Sequence, residues 1–410
     1  MTITTSKAAA TAGCALLALC ALVPAGCVLP GADDETDGAT EADAGASDET
    51  NGGGGSTGGS SPTTMTDPTS ADESGTGDTA TDDNGTDTDT GPSGSVVGDD
   101  VIFYVRELAA SDDALWAIDV GTNEAHEVTA LDGTSEIRSI AIHPSRTGLV
   151  IASTFETGDY QASEAIYGFD FNDTLVFGEP TLIMPAIPTP VGASAGYQQQ
   201  ISDLRFHPDG SLLWFGHSFQ FDIGNPGGGT LGALDLATGQ YELYLDIIGD
   251  CTVNTGPAPS PDGSLLASIR GVCIDSSHEG VVAFGIPPAG DPQMVVPSTN
   301  LVFAGPQWLP AGDGLVYGGN IDFDANGDGT PDVSGDALML LEIATGDQYV
   351  LLPPTDGYTI WDFAMAPTGD RFVACVNRGG PRDLLLVDLS GTEPEVRWLT
   401  DDGVSCYPAW

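Results

Sequence analysis

The chain has 410 residues and a formal charge of −50, from 60 acidic residues against 10 basic ones, and its only Lys is Lys7. That balance excludes nucleic acid and anionic lipid surfaces as partners, because both would be repelled. The first hundred residues carry too few large apolar side chains to build a core, so one large domain is expected after them.

Lys7 precedes an apolar run through Ala8, Leu16, Leu17, Leu19 and Leu22, which ends in Val23-Pro24-Ala25-Gly26-Cys27. Residues 1–26 read as an export signal rather than a spanning helix. Ala25 and Gly26 directly before Cys27 resemble the lipobox of bacterial lipoproteins. The resemblance implies that Cys27 is lipidated and becomes the mature N-terminus. It would anchor the chain in the cell envelope, at the periplasmic or outward face of the outer membrane. Pro24 stands where that family has an aliphatic residue, and an ordinary cleaved signal that leaves Cys27 as a thiol is the alternative.

Residues 27–100 form one segment that from Gly31 onward is mostly Gly, Ser, Thr, Asp, Glu, Ala and Pro, with neither Lys nor Arg and almost no large apolar residue. Such a stretch cannot offset its ordering entropy by burial and is expected to be a disordered acidic linker. It holds the run Gly52-Gly53-Gly54-Gly55 and the interleaved Asp82, Asp83, Thr86, Asp87, Thr88 and Asp89. As a Gly/Ser-like coil, about seventy residues reach roughly 45 to 50 Å root-mean-square, more with self-repulsion.

From Val101 one pattern returns five times: a strand, a tight turn and a strand, beginning at Ile137, Ile201, Thr255, Phe303 and Ile360. The turns Pro208-Asp209-Gly210 and Pro261-Asp262-Gly263 suit a reversal because Pro presets φ and Gly accepts positive φ. Each pair is followed by a third and a fourth strand, as in Leu231–Asp235 and Tyr241–Leu245. Four antiparallel strands at this period describe a propeller blade. The domain opens at Val101 with what reads as strand two. Cys406-Tyr407-Pro408-Ala409-Trp410 matches the first strand of the other repeats. Five whole blades and one split blade predict an all-β, six-bladed propeller over 101–410, closed by the C-terminal strand joining the first blade.

The Ser260–Gly263 turn, its variants in the other repeats, and the preceding Pro-Ala or Pro-x-Trp resemble the TolB-like propeller repeats over nearly all of 101–410. The resemblance implies fold more than function, since such domains serve as periplasmic adaptors, as peptidase caps and as lyases.

In an up-and-down blade the loops between strands two and three share a face with those between blades. Here those loops are the long ones: 155–163, 184–200, 217–230, 270–280 and 320–336. A binding site is expected on that face, at the mouth of the central channel. One of these loops, Asp324-Ala325-Asn326-Gly327-Asp328-Gly329-Thr330-Pro331-Asp332, has the alternating hard oxygens and bend glycines of a DxDxDG-type calcium loop. Asp324, Asn326, Asp328 and Asp332 would give side-chain oxygens and Thr330 its carbonyl, as in the similar loops of thrombospondins and integrins. Asp322 would be an outer ligand, and a structural Ca²⁺ is the cofactor expected. An acidic hairpin loop without metal is the alternative.

Cys251 and Cys273 are expected to pair on the long-loop face of one blade. Cys375 and Cys406 fall in the last full blade and the closing strand, where either a bridge or two buried thiols fit. His143 and His207 hold matching positions before Pro144 and Pro208, which reads as structural. His126, His217 and His278 have no zinc spacing, and no glycine-rich phosphate loop precedes a helix. His217, His278, Asp222, Asp275 and Arg270 are expected on the long-loop face, where a site assembled from several blades is invisible to motifs. The leading reading is therefore a monomeric, membrane-anchored scaffold for an unknown protein or glycan. A polysaccharide lyase or hydrolase at the channel mouth is the alternative, and a purely structural surface protein the third.

Overall fold

The computed structural model describes residues 97–410, except 108–112, 131–133, 156–162, 172–179, 189–197, 221–227, 245–251, 273–276, 287, 289–292, 298–304 and 392–393. The export signal, Cys27, the linker up to residue 96, Cys251, Cys273, Asp222 and Asp275 lie outside these residues, as does the side chain of His278.

The described structure contains strands and no helix. Strands β1 (Val101–Arg106), β2 (Ala114–Asp119) and β3 (Glu124–Ala130) begin blade 1. Blade 2 is β4 (Thr134–Ile142), β5 (Gly148–Phe155), β6 (Ser163–Asp170) and β7 (Thr181–Met184). Blade 3 is β8 (Gln198–Phe206), β9 (Leu212–Gln220), β10 (Gly228–Asp235) and β11 (Tyr241–Tyr244). Blade 4 is β12 (Thr252–Pro259), β13 (Leu265–Val272), β14 (Ser277–Gly285) and β15 (Gln293–Pro297). Blade 5 is β16 (Gln307–Trp308), β17 (Gly314–Phe323), β18 (Val333–Glu342) and β19 (Gln348–Leu352). Blade 6 is β20 (Thr359–Met365), β21 (Arg371–Asn377), β22 (Arg382–Asp388) and β23 (Glu395–Trp398). Finally β24 (Ser405–Ala409) completes blade 1 in the order β24-β1-β2-β3.

Blades packed face to face bury both sides of their middle strands, so Phe372–Val376 in β21 and Asp383–Val387 in β22 are buried without alternation. The core accordingly divides into six apolar clusters, one at each interface between neighbouring blades. Phe363 and Phe372 meet Leu338 between blades 5 and 6. Trp214 meets Leu266 and Phe284 between blades 3 and 4.

The ring closes through Phe103↔Ala409, Val105↔Cys406 and Arg106↔Ser405. Cys375 in β21 and Cys406 in β24 form a disulfide, 31 positions apart in sequence, with both residues fully buried. Four arginines also cross this seam between blades 6 and 1. Arg106 pairs with Asp402 at 3.0 Å, Arg371 with Asp100 at 2.7 Å, and Arg382 with Glu107, while Arg397 donates to Asn123 Oδ1 at 3.0 Å.

On the short-turn face the same hydrogen bond recurs in five turns, from Arg146, Gly210, Gly263, Gly312 and Gly369 N–H to the carbonyl three residues earlier. Each of these residues has positive φ, and only Arg146 is not glycine. The chain joins the fold here, earlier than the expected boundary at Val101. Val97 is already buried, because its side chain packs into the cluster between blades 1 and 2.

Candidate functional site

The loops of the long-loop face are shorter than the sequence suggested, because the flanking strands run on. β9 continues through His217 to Gln220, and β17 and β18 pair as far as Phe323↔Val333, leaving a β-ribbon with only 324–332 at its tip. His217 is thus a strand residue, 4% exposed, with Nε2 3.1 Å from Gln199 Oε1. Burial holds its pKa down at about 4, so it is neutral at physiological pH.

At the channel mouth several carboxylates converge, and each is held by a repeated device. Ile137 N–H donates to Asp113 Oδ2 at 2.7 Å, Ile201 N–H donates to Glu164, and Ile360 N–H donates to Asp336 Oδ2 at 3.1 Å. In every case a carboxylate at the head of a blade's third strand receives an amide from the start of the next blade's innermost strand. Asp383, fully buried, plays a related part for Asp402 and Gly403 N–H at 2.9 and 3.0 Å. This satisfies amides that would otherwise be stranded where one blade ends and the next begins. Asp113, Glu164 and Asp336 stand six residues before Asp119, Asp170 and Glu342, a spacing that aligning the third strands alone would have exposed.

Burial above all raises Asp113 to about 6 and Glu164 to about 7, and it also raises Glu107. Arg138 pairs with Glu164 at 2.9 Å and Glu136 at 2.5 Å, and Arg382 with Glu107. Deeper in the channel, burial pushes Asp362 of blade 6 up to about 7, opposed by Arg205 and reinforced by Asp203 of blade 3. Asp203 has φ 54° and accepts from Ser202 Oγ at 2.8 Å. On that level Gly256 and Gly305 let blades 4 and 5 touch backbone to backbone, since a Cβ on Gly256 would lie 2.7 Å from Gly305 Cα.

One large apolar side chain at the mouth is turned to solvent. Trp361 is the extra residue of a bulge between Ile360↔Val376 and Asp362↔Cys375, and it is 47% exposed. A bulge re-aims its side chain out of the ladder. The Arg382 guanidinium lies 5.0 Å from the centre of its ring. Sequence reading passed over Trp361 because the surrounding residues promised an ordinary inner strand.

At the ribbon tip Asp324 Oδ1 accepts from Gly327 N–H at 2.7 Å and Oδ2 from Gly329 N–H at 2.6 Å. Asp332 accepts from Ala325, Asn326 and the Asn326 amide group. Asn326 Oδ1 accepts from Asp328 N–H at 2.9 Å, and Asp328 Oδ1 from Thr330 N–H at 2.8 Å. Asp322 sits back in β17 and accepts from Ser334 Oγ. In this geometry the carboxylates face the loop's own amides, and among the described residues no three His, Cys, Asp or Glu side chains converge in metal-ligand spacing. His143 and His207 lie on the opposite face, where each ring meets the turn glycine of the next blade, Gly210 and Gly263. A cavity of about 270 Å³ also opens on that face at the closing seam, lined by Arg371, Arg397, Asp388 and Glu395 among others.

No family model matches the chain. No curated protein matches it either. Among solved structures, TolB from Acinetobacter baumannii is 18% identical with a TM-score of 0.51, over 77% of this chain and 68% of that one. A chain of a nidogen/laminin complex is 11% identical with a TM-score of 0.51, over 75% of this chain and 97% of that one. At these identities the likeness is one of fold: a six-bladed β-propeller, the fold that the resemblance to TolB-like repeats implied.

Proposed function

We propose that this chain is an exported, envelope-anchored scaffold that binds its ligand on the long-loop face around the channel mouth. The observation that carries the reading is the division of labour there. Asp113, Glu164 and Asp336 are committed to the amides of the next blade, and Glu107 and Glu136 to arginines, while Trp361 is left exposed. Exposed aromatic surface on a rigid frame is what a binding site needs. The signal-like segment and Cys27 support the anchoring, and the absence of a positive field leaves a protein or a neutral glycan as ligand.

The lyase or hydrolase alternative has one observation in its favour, the raised carboxylates beside Arg138 and Arg382. The recurrence of Asp113 and Glu164 from blade to blade assigns them to the frame, Glu107 is taken up by Arg382, and the overall charge of −50 opposes a polyanionic substrate. For the ribbon tip we propose a structural Ca²⁺, held by Asp324, Asn326, Asp328, Asp332 and the Thr330 carbonyl, with Asp322 outside them. The support is a donor set made wholly of hard oxygens within one short loop.

Peptide and glycan arrays probed with the full chain test the binding reading. Retention is expected to fall at least tenfold with Trp361→Ala and to survive Thr238→Arg on the short-turn face. The reverse pattern, or steady cleavage of a retained ligand, overturns it.

A further inference from the structure

We infer that Trp361 and the polar groups fixed around it form a subsite for a neutral pyranose saccharide, an inference that rests on the binding reading above and names its ligand class. The ring projects from a bulge, is 47% exposed, and carries the Arg382 guanidinium 5.0 Å from its centre. Glu107 holds Arg382 in place. Asp336 accepts from the amide of Ile360, the residue before Trp361, and from Asn320 Nδ2 at 3.0 Å. The site therefore combines a flat apolar surface with hydrogen-bonding groups that are already oriented by one another.

A pyranose ring has the matching chemistry. Its C–H face stacks on an aromatic face, and its rim of hydroxyls both donates and accepts. Arg382 and Asn320 supply donors, and Glu107, Asp336 and the Asn320 oxygen supply acceptors, so a hydroxyl can be met in either sense. Uronate, sulfated or phosphorylated glycans are excluded by the charge of −50. An extended peptide adding to β20 would need a regular ladder, and the bulge at Trp361 interrupts it.

The test is calorimetric titration of the full chain with cellohexaose, maltohexaose, hexa-N-acetylchitohexaose and polygalacturonate, alongside a 15-mer peptide array. Expected is binding of at least one neutral hexasaccharide, weakened at least tenfold in Trp361→Ala and largely kept in Trp361→Phe, with no binding of polygalacturonate. Trp361 is a surface residue, and unchanged thermal unfolding of both variants establishes that they fold. Peptide binding lost in Trp361→Ala, without saccharide binding, overturns the saccharide and keeps the channel-mouth scaffold. Saccharide binding that Trp361→Ala leaves untouched overturns the subsite. Polygalacturonate binding overturns the charge argument and the ligand class with it. If neither ligand class binds, both readings fall.

Discussion

Arg146 donates its Nε–H to the carbonyl of Val97 at 2.9 Å across 49 positions of sequence, from the one short turn of five that does not end in glycine. Its second nitrogen reaches the carbonyls of Gly98 and Val101 at 2.8 and 3.2 Å. A left-handed Arg costs about 1–2 kcal/mol against glycine, and hydrogen bonds from a charged, buried donor contribute roughly 1.5–3 kcal/mol each. Arg146→Gly is therefore expected to relieve strain yet still destabilise the fold by at least about 2 kcal/mol. Denaturant unfolding of the two chains checks it, and equal or greater stability in Arg146→Gly would show that the three carbonyls are held by other means.

Gly210 has φ 74°, and a Cβ placed on it would lie 2.4 Å from His143 Nε2 of the preceding blade. Gly210→Ala meets strain and a ring clash together and is expected to cost about 1–3 kcal/mol. Gly239 has a similar φ of 67° with open space around it, so Gly239→Ala should cost less. Comparing the two midpoints separates the blade-to-blade contact from backbone strain.

Asp113 and Glu164 have folded pKa values of about 6 and 7, above those of an unfolded chain. Groups raised on folding contribute stability that is complete below about pH 4 and lost as pH rises through 6 to 7. Asp209 and Asp262, held near 2 by hydrogen bonds from Ser211 and Ser260 first of all, act in the opposite sense and lose their contribution only towards pH 2. Thermal stability should therefore be greater at pH 5 than at pH 8. Glu164→Gln, which still accepts the Ile201 amide, should flatten that slope. A Tm that rises steadily from pH 5 to 8 would contradict the assignment.

Removing the Cys375–Cys406 bridge frees a 31-residue separation in the unfolded chain, a change worth roughly 3–4 kcal/mol. Cys375→Ala with Cys406→Ala should lower the unfolding midpoint accordingly, and non-reduced peptide mapping should find the two cysteines on linked fragments. Free thiols at both positions in the unreduced protein would refute the bridge.

Calcium is expected to raise the Tm of the full chain and to slow amide exchange in 323–333. Both effects should vanish in an Asp324→Ala, Asp328→Ala variant. Equal exchange with and without calcium would leave the ribbon tip as a hydrogen-bonded acidic loop.

The blade count was legible because turn chemistry repeats: Pro-Asp-Gly or its variants mark every first hairpin, and the strand at Cys406 matches the other first strands. Arg146 broke the glycine rule in one turn, and its reason, three carbonyls of the incoming segment, exists only in the folded chain. The site was harder to read. Loop length was overestimated around His217 and Asn320 because β-ribbons extend past the blade without an apolar pattern to announce them. Trp361 stood unmarked in an expected first strand, since a bulge that turns one residue outward leaves no mark in composition.

Blade 1 is assembled from strands made at opposite ends of the domain, with β1 waiting for β24. A growing chain therefore carries β1 with one edge unmatched until Ser405–Ala409 has been synthesised. Neither the bridge to Cys375 nor the Trp410 bond to the Asp99 carbonyl can form sooner. The native ring cannot close before β24 has been made. Closure of the ring is therefore the last step open to this fold, and the seam between blades 6 and 1 is the last of its blade interfaces to be completed.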